Sequence, residues 1–165
     1  MNSSIRNLNE LGLVMQKIVK RLSVNQNLLK LLYYTDKDPF SQPDISEETY
    51  QREIFDKLIR VIPKVEAQEV ANSILVLKIE SGGVNSVNEE FLNIRGRIEI
   101  FIPLTQWKIK DSNLRPFSLL GEVQNTLNGK VVDGVGQLRC SDFELILLTD
   151  EISAYGLSFE FLQYV

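Results

Sequence analysis

Few side chains in this sequence have reactive potential, and they do not converge. The 165 residues include no histidine, which removes Ser-His and Cys-His nucleophile pairs, imidazole acid-base chemistry and histidine-ligated metal. The one cysteine, Cys140, makes neither an intrachain disulfide nor a Cys-x-x-Cys site, and with no base to take its proton it reads as a structural thiol. Gly134-Val135-Gly136 has the first two glycines of a dinucleotide fingerprint but neither the third nor the strand-to-helix setting, so it reads as a turn. No Gly-x-x-x-x-Gly-Lys-Ser/Thr loop is present to cradle phosphates. Asp44 and Glu122-Val123-Gln124 are the pieces of an alternative reading, a small magnesium-dependent nuclease. Such a site needs its carboxylates on neighbouring strand ends, sharing one cation. Asp44 lies instead in a Pro-rich segment and Glu122 on a predicted helix, so the expectation is a non-enzymatic chain with no catalytic residue, metal or cofactor.

Charge gives a second set of candidates. Arg95, Arg97 and Glu99 alternate with apolar residues along Ile94–Ile102 and so project from one strand face. Phosphate contact is one use for two such arginines. With Glu99 on the same face, a solvated or subunit-facing strand is the better reading, and the three are candidate subunit-interface residues. Lys17, Lys20, Arg21 and Lys30 give the N-terminal helices a basic face, read as solvated.

Composition bounds the rest. Eighteen basic and 22 acidic residues give a net charge of −4, and the pI is about 5.0, so no cationic field draws the chain to nucleic acid or an anionic membrane. A hydrophobic share of 44% with 24% charged residues is that of an ordinary globular protein. Residues 1–7 lack the basic start and apolar run of a signal peptide, and no window supports a membrane span. A single cysteine fits synthesis in a reducing cytosol.

The elements that must position these side chains follow from periodicity. Ser3 or Ser4 can cap a helix carrying Ile5, Leu8, Leu11, Met15, Ile18, Val19 and Leu22, and Asn25 a second one through Tyr33. These make an N-terminal helical hairpin over residues 1–34. A Pro-rich loop over residues 35–48 follows, then a sheet-and-helix core over residues 49–165, all within one domain. In that core Ser46 opens a short helix through Tyr50, Ile54, Phe55 and Leu58 that Pro63 should end. Ile74–Ile79 reads as a strand covered on both faces. The stretch Ser81-Gly82-Gly83-Val84-Asn85-Ser86-Val87-Asn88-Glu89-Glu90 has the composition of a long hairpin loop, disordered or ordered on docking. Phe91–Pro103 is a strand, with Gly96 marking a bulge or the close approach of another backbone. Trp107 and Ile109 either extend it or belong to the following connection. Asp111, Ser112 or Asn113 can cap a helix with Pro116 in its first turn and Phe117, Leu120, Val123 and Leu127 on its apolar stripe, stopped by Asn128-Gly129. Phe143–Leu148 and Tyr155–Val165 close the chain as an antiparallel pair, and Gln137–Cys140 is compatible with a short strand of its own. The fold class is therefore α+β: a mostly antiparallel sheet of about four or five strands with helices packed on it.

The order from Ile74 to Val165 is strand, polar loop, long strand, helix and closing antiparallel pair. It resembles the tail terminator and head-tail joining (neck) proteins of long-tailed bacteriophages. The stretches that carry the likeness are Phe91–Pro103, the helix from Asn113 to Leu127, and Tyr155-Gly156-Leu157-Ser158-Phe159-Glu160-Phe161-Leu162. The helical hairpin before Thr35 is absent from the shortest members. The resemblance implies a structural virion protein made in the host cytoplasm, a homo-oligomer (a hexameric ring) that caps the tail tube and joins it to the head. Its implied partners are the tail tube protein and a head-closure or connector protein, with DNA passing through the ring without sequence-specific binding and no membrane involved. A head-closure or tail-completion adaptor is the alternative within the neck. Candidate partner-contact residues are Ser81, Gly82, Gly83, Val84, Asn85 and Val87 in one loop, and Asp38 and Phe40 in the other.

Overall fold

A computed structural model describes residues 8–132 and 136–164. Helix α1 spans Glu10–Leu22 and buries Val14, Ile18, Val19 and Leu22, the stripe that helical spacing requires. It opens at Asn9 without a side-chain cap; the expected caps Ser3 and Ser4, with Ile5, lie outside the described residues. Leu8, placed by periodicity on the buried stripe, is exposed because it precedes the helix. Helix α2 spans Gln26–Tyr33, and Asn25 caps it by accepting the Leu28 N–H at 3.0 Å.

Ser46 caps α3, Glu47–Thr49, by accepting the Thr49 N–H at 3.2 Å. The helix continues as a wide turn over Tyr50–Ile54, closed by Phe55 N–H on the Tyr50 carbonyl at 2.8 Å. Asp56 then takes a left-handed backbone (φ 56°) and ends it. Pro63 is therefore not the terminator: the chain has already turned into strand β1, Ile59–Arg60, which local pattern did not reveal.

Strand β2 spans Ile74–Val84, β3 Phe91–Pro103, β4 Arg139–Leu147 and β5 Ile152–Tyr164. They form a five-stranded sheet in the order β1-β2-β3-β5-β4, antiparallel except for β1 against β2. The fold is α+β. Ser81–Val84 are not loop but strand, paired with Arg95, Ile94, Asn93 and Leu92 past an irregularity at Glu80. Glycine and serine are weak strand formers, yet the long partner β3 supplies the ladder that their composition does not predict. β4 begins at Arg139, so the possible short strand at Gln137–Cys140 merges into it, with an irregularity between Cys140 and Phe143.

Helix α4, Arg115–Leu127, lies against β3, β4 and β5, and α1 packs on α4 and β2. Pro116 sits in its first turn as expected, but Leu114 is the cap position and no side chain caps it. Asp111 and Ser112 adopt left-handed backbones in the turn before the helix, so neither reaches its first N–H groups. Trp107 and Ile109 belong to that connection, not to β3. The helix stops at Asn128, with Gly129 at φ 71°. The sheet face against α4 carries Ile94, Ile98, Ile100, Leu157, Phe159 and Phe161, all buried. Phe101 follows Arg95, Arg97 and Glu99 in the alternation and shares their face, yet is buried, because the Ile100–Pro103 end of β3 is covered on both sides.

Candidate assembly surface

The candidate residues fall on three surfaces. The first is the tip of the β2–β3 hairpin. Asn85 organises its turn: Oδ1 accepts the N–H groups of Val87 (2.9 Å) and Asn88 (3.0 Å), and Nδ2 donates to Asn93 Oδ1 at 2.9 Å. Asn88 Oδ1 in turn accepts Glu90 N–H. This Asx geometry holds Val87 outward with 93% of its surface exposed. Below the tip, Ser81, Gly82, Gly83, Asn93 and Arg95 line part of a groove of about 730 Å³ whose other wall includes Gln137 and Arg139. The side chain of Gly82 is absent where the Ile94 Cδ1 methyl group lies, so a Cβ there would collide with it.

The second surface is the Pro-rich segment. Asp38 accepts from Lys110 Nζ at 2.9 Å, and that hydrogen bond holds its carboxyl below its usual range while pushing Lys110 up. Phe40 stands half-exposed in the turn Pro39–Ser41.

The third is the polar sheet face. Arg97 bonds Glu144 on β4 and pairs with Glu99 (3.3 Å) and Glu80 (3.7 Å). Arg95 reaches Glu80 and Asp142, and Lys78 pairs with Glu99 at 2.7 Å. Burial is the largest single influence on the Arg97 guanidinium and works against its charge, yet Glu144, Glu99 and Glu80 together hold its pKa above the usual value. Gly156 on β5 makes room, since a Cβ there would meet the Arg97 guanidinium. Arg95, Arg97 and Glu99 thus lie on an interior strand and are paired within the chain. The irregularity expected at Gly96 lies beside it on β2, where Glu80 is extra between Ile79, the partner of Gly96, and Ser81; against β5 the ladder is unbroken, and the Phe159 ring rather than another backbone fills the side-chain position of Gly96.

The pieces of the nuclease alternative have separate partners. Asp44 pairs with Lys30 at 2.7 Å, whereas Glu122 accepts from Asn25 Nδ2 at 2.9 Å and Asn27 Nδ2 at 3.4 Å, bracing α4 on α2. Among the described residues no group of three or more Asp, Glu or Cys side chains is placed to hold a metal ion. Cys140 is half-buried, and burial pushes its thiol pKa up, away from a reactive thiolate. Of the Asp133–Gly136 turn, residues 133–135 lie outside the described residues. No helix among the described residues is long and apolar enough to cross a membrane.

Two features escape the sequence. Phe143, Leu145 and Leu147 of β4 alternate with polar residues as a buried face would, yet are 60%, 50% and 79% exposed. Phe117, given to the α4 stripe by spacing, is half-exposed beside them, its ring 5.2 Å from that of Tyr155, which Phe143 also meets. Arg115 is the second: fully buried, it donates to the backbone carbonyls of Leu31, Tyr34, Asp36 and Gln106. An arginine before a proline at a helix start carries no signal of that role.

The YomW family model matches residues 25–161. This chain belongs to the YomW family. The YomW match starts at Asn25, the cap of α2, and ends within β5, so it takes in the Pro-rich segment, the sheet and α4 and leaves α1 outside. Among solved structures, a chain described as "Virion of native gene transfer agent (GTA) particle" is similar over 73% of this chain and 87% of that one, at 9% identity and a TM-score of 0.44. The comparison with curated proteins returned no match.

Proposed function

We propose that this YomW-family protein is a non-enzymatic structural protein of a phage-type virion, acting in the neck as a ring-forming tail terminator. The observation that carries the reading is the order β2–β3–α4–β4–β5, the order on which the resemblance to tail terminators rests. Its mechanism is geometric. A ring of copies covers the open end of the tail tube, presents a different surface on its far side, and so ends tube growth and offers a seat for the head-closure protein. The hairpin tip at Val87 and the Phe40 turn are the exposed apolar points that would touch those neighbours. The net charge of −4 lets DNA cross the ring without being held. A head-closure or tail-completion adaptor is the second reading, favoured by the helical pair α1 and α2, the N-terminal addition that the shortest tail terminators lack.

Negative-stain imaging of the purified protein, alone and mixed with tail tubes of the phage that encodes it, tests this. Rings, or a cap at one tube end, are expected. Binding to connector-bearing heads instead of tubes would favour the adaptor, and binding to neither would overturn the neck role.

A further inference from the structure

β4 is an outer strand of the sheet, and the helical layer covers it only in part: α1 lies over β2 and α4 over β3, β5 and the near side of β4, leaving Phe143, Leu145 and Leu147 exposed on the helix-side face. An exposed apolar outer strand with free backbone groups invites another strand. On the opposite side of the sheet β1 pairs only with Leu75 and Val76, so the outer edge of β2 from Leu77 to Val84 has no strand beside it among the described residues.

We propose that these two edges are one contact: a second copy of this chain adds the Leu77–Val84 half of its β2 to β4 and lays its α1 over the bare strip. Three observations fit this occupant. Strand direction alternates from β2 through β3 and β5 to β4, so β4 runs opposite to β2, and a second copy in the same orientation meets it antiparallel. In that arrangement charges of opposite sign come together. Carried across the sheet, Glu144 of β4 is level with Val76 of β2 and so comes next to Lys78 on the same face. Finally, α1, which packs on β2, carries an outward Leu13, 58% exposed, as an apolar side chain free to meet the strip. The contact joins two different surfaces, so it repeats head to tail and closes into a ring or runs on as a filament. It deepens the ring reading above by naming the surfaces, and it is tested apart from that reading.

The test uses the full chain with Cys140→Ser, carrying Glu144→Cys together with either Lys78→Cys or Glu80→Cys, since directly opposed residues bring their Cβ atoms within disulfide reach. Sedimentation velocity of the wild type at its highest soluble concentration is run beside it. Expected are self-association, a reducible ladder of covalent multimers on oxidation, and association weakened about tenfold or more by Leu145→Lys, which is exposed and leaves the fold intact. A monomeric wild type, association without a ladder, or full association of Leu145→Lys each overturns the contact. Tube capping is read separately by imaging: capping without a ladder sinks this contact and spares the neck role, and a ladder without capping does the reverse.

Discussion

Gly96 on β3 and Phe159 on β5 stand directly opposite each other, and the Phe159 ring occupies the space where a side chain at 96 would lie. Phe159 is fully buried and stacks on Phe161 with ring centroids 6.1 Å apart. The pair is one unit of core volume divided unequally between two strands. Gly96→Ala is expected to cost about 1–3 kcal/mol by overpacking. Thermal unfolding checks it, and adding Phe159→Leu should recover part of the loss. Strictly additive effects would show that the two positions do not share the space.

Arg115 ties α2, the Pro-rich segment and the start of α4 together through its four carbonyl acceptors. Burial pushes its pKa down to about 10, so it stays cationic at neutral pH, with the negative end of the α2 dipole nearby. Arg115→Met would leave those acceptors buried without a donor. A loss of about 3 kcal/mol is expected, since each buried carbonyl left without a donor costs about 1–3 kcal/mol and the neighbourhood relaxes around some of them. Urea unfolding reads this directly; a change within about 1 kcal/mol would mean that water replaces the guanidinium.

The Asp38–Lys110 pair makes a signed pH prediction. The folded carboxyl pKa of Asp38 lies below its unfolded value, chiefly through the Lys110 hydrogen bond, so the pair's contribution is present above that unfolded value, about 3.9, and lost as pH falls through the folded one. Lys110 is the mirror case. Its folded pKa is raised by Asp38, so its share is present below about 10.4 and lost as pH rises through the folded value. The melting-temperature difference between wild type and Asp38→Asn should therefore be widest near neutrality and close in acid. An equal difference at about pH 3 and pH 7 would remove the pair from the account.

Val87 is held outward by hydrogen bonds that do not involve its side chain. Val87→Asp should thus leave the unfolding free energy within about 0.5 kcal/mol of wild type. If the hairpin tip seats on a tube or connector, the same change lowers co-sedimentation with it. Asn85→Ala, which removes the Asx bonds, should weaken that binding as well, by loosening the turn. Unchanged binding in both variants would take the tip out of the contact surface.

Periodicity and caps by themselves determined the α+β class, the bounds Phe91–Pro103, the Asn25 and Ser46 caps and the Asn128-Gly129 stop, because each depends on residues within a few positions of one another. Only the tertiary structure decided the rest. Ser81–Val84 become strand because β3 is long enough to pair with them. Arg95, Arg97 and Glu99 are neutralised by residues from β2 and β4 that no local window contains. The alternation of Phe143, Leu145 and Leu147 says that one face is apolar, and whether a helix covers that face depends on where α4 lands, which is set by packing across the whole sheet.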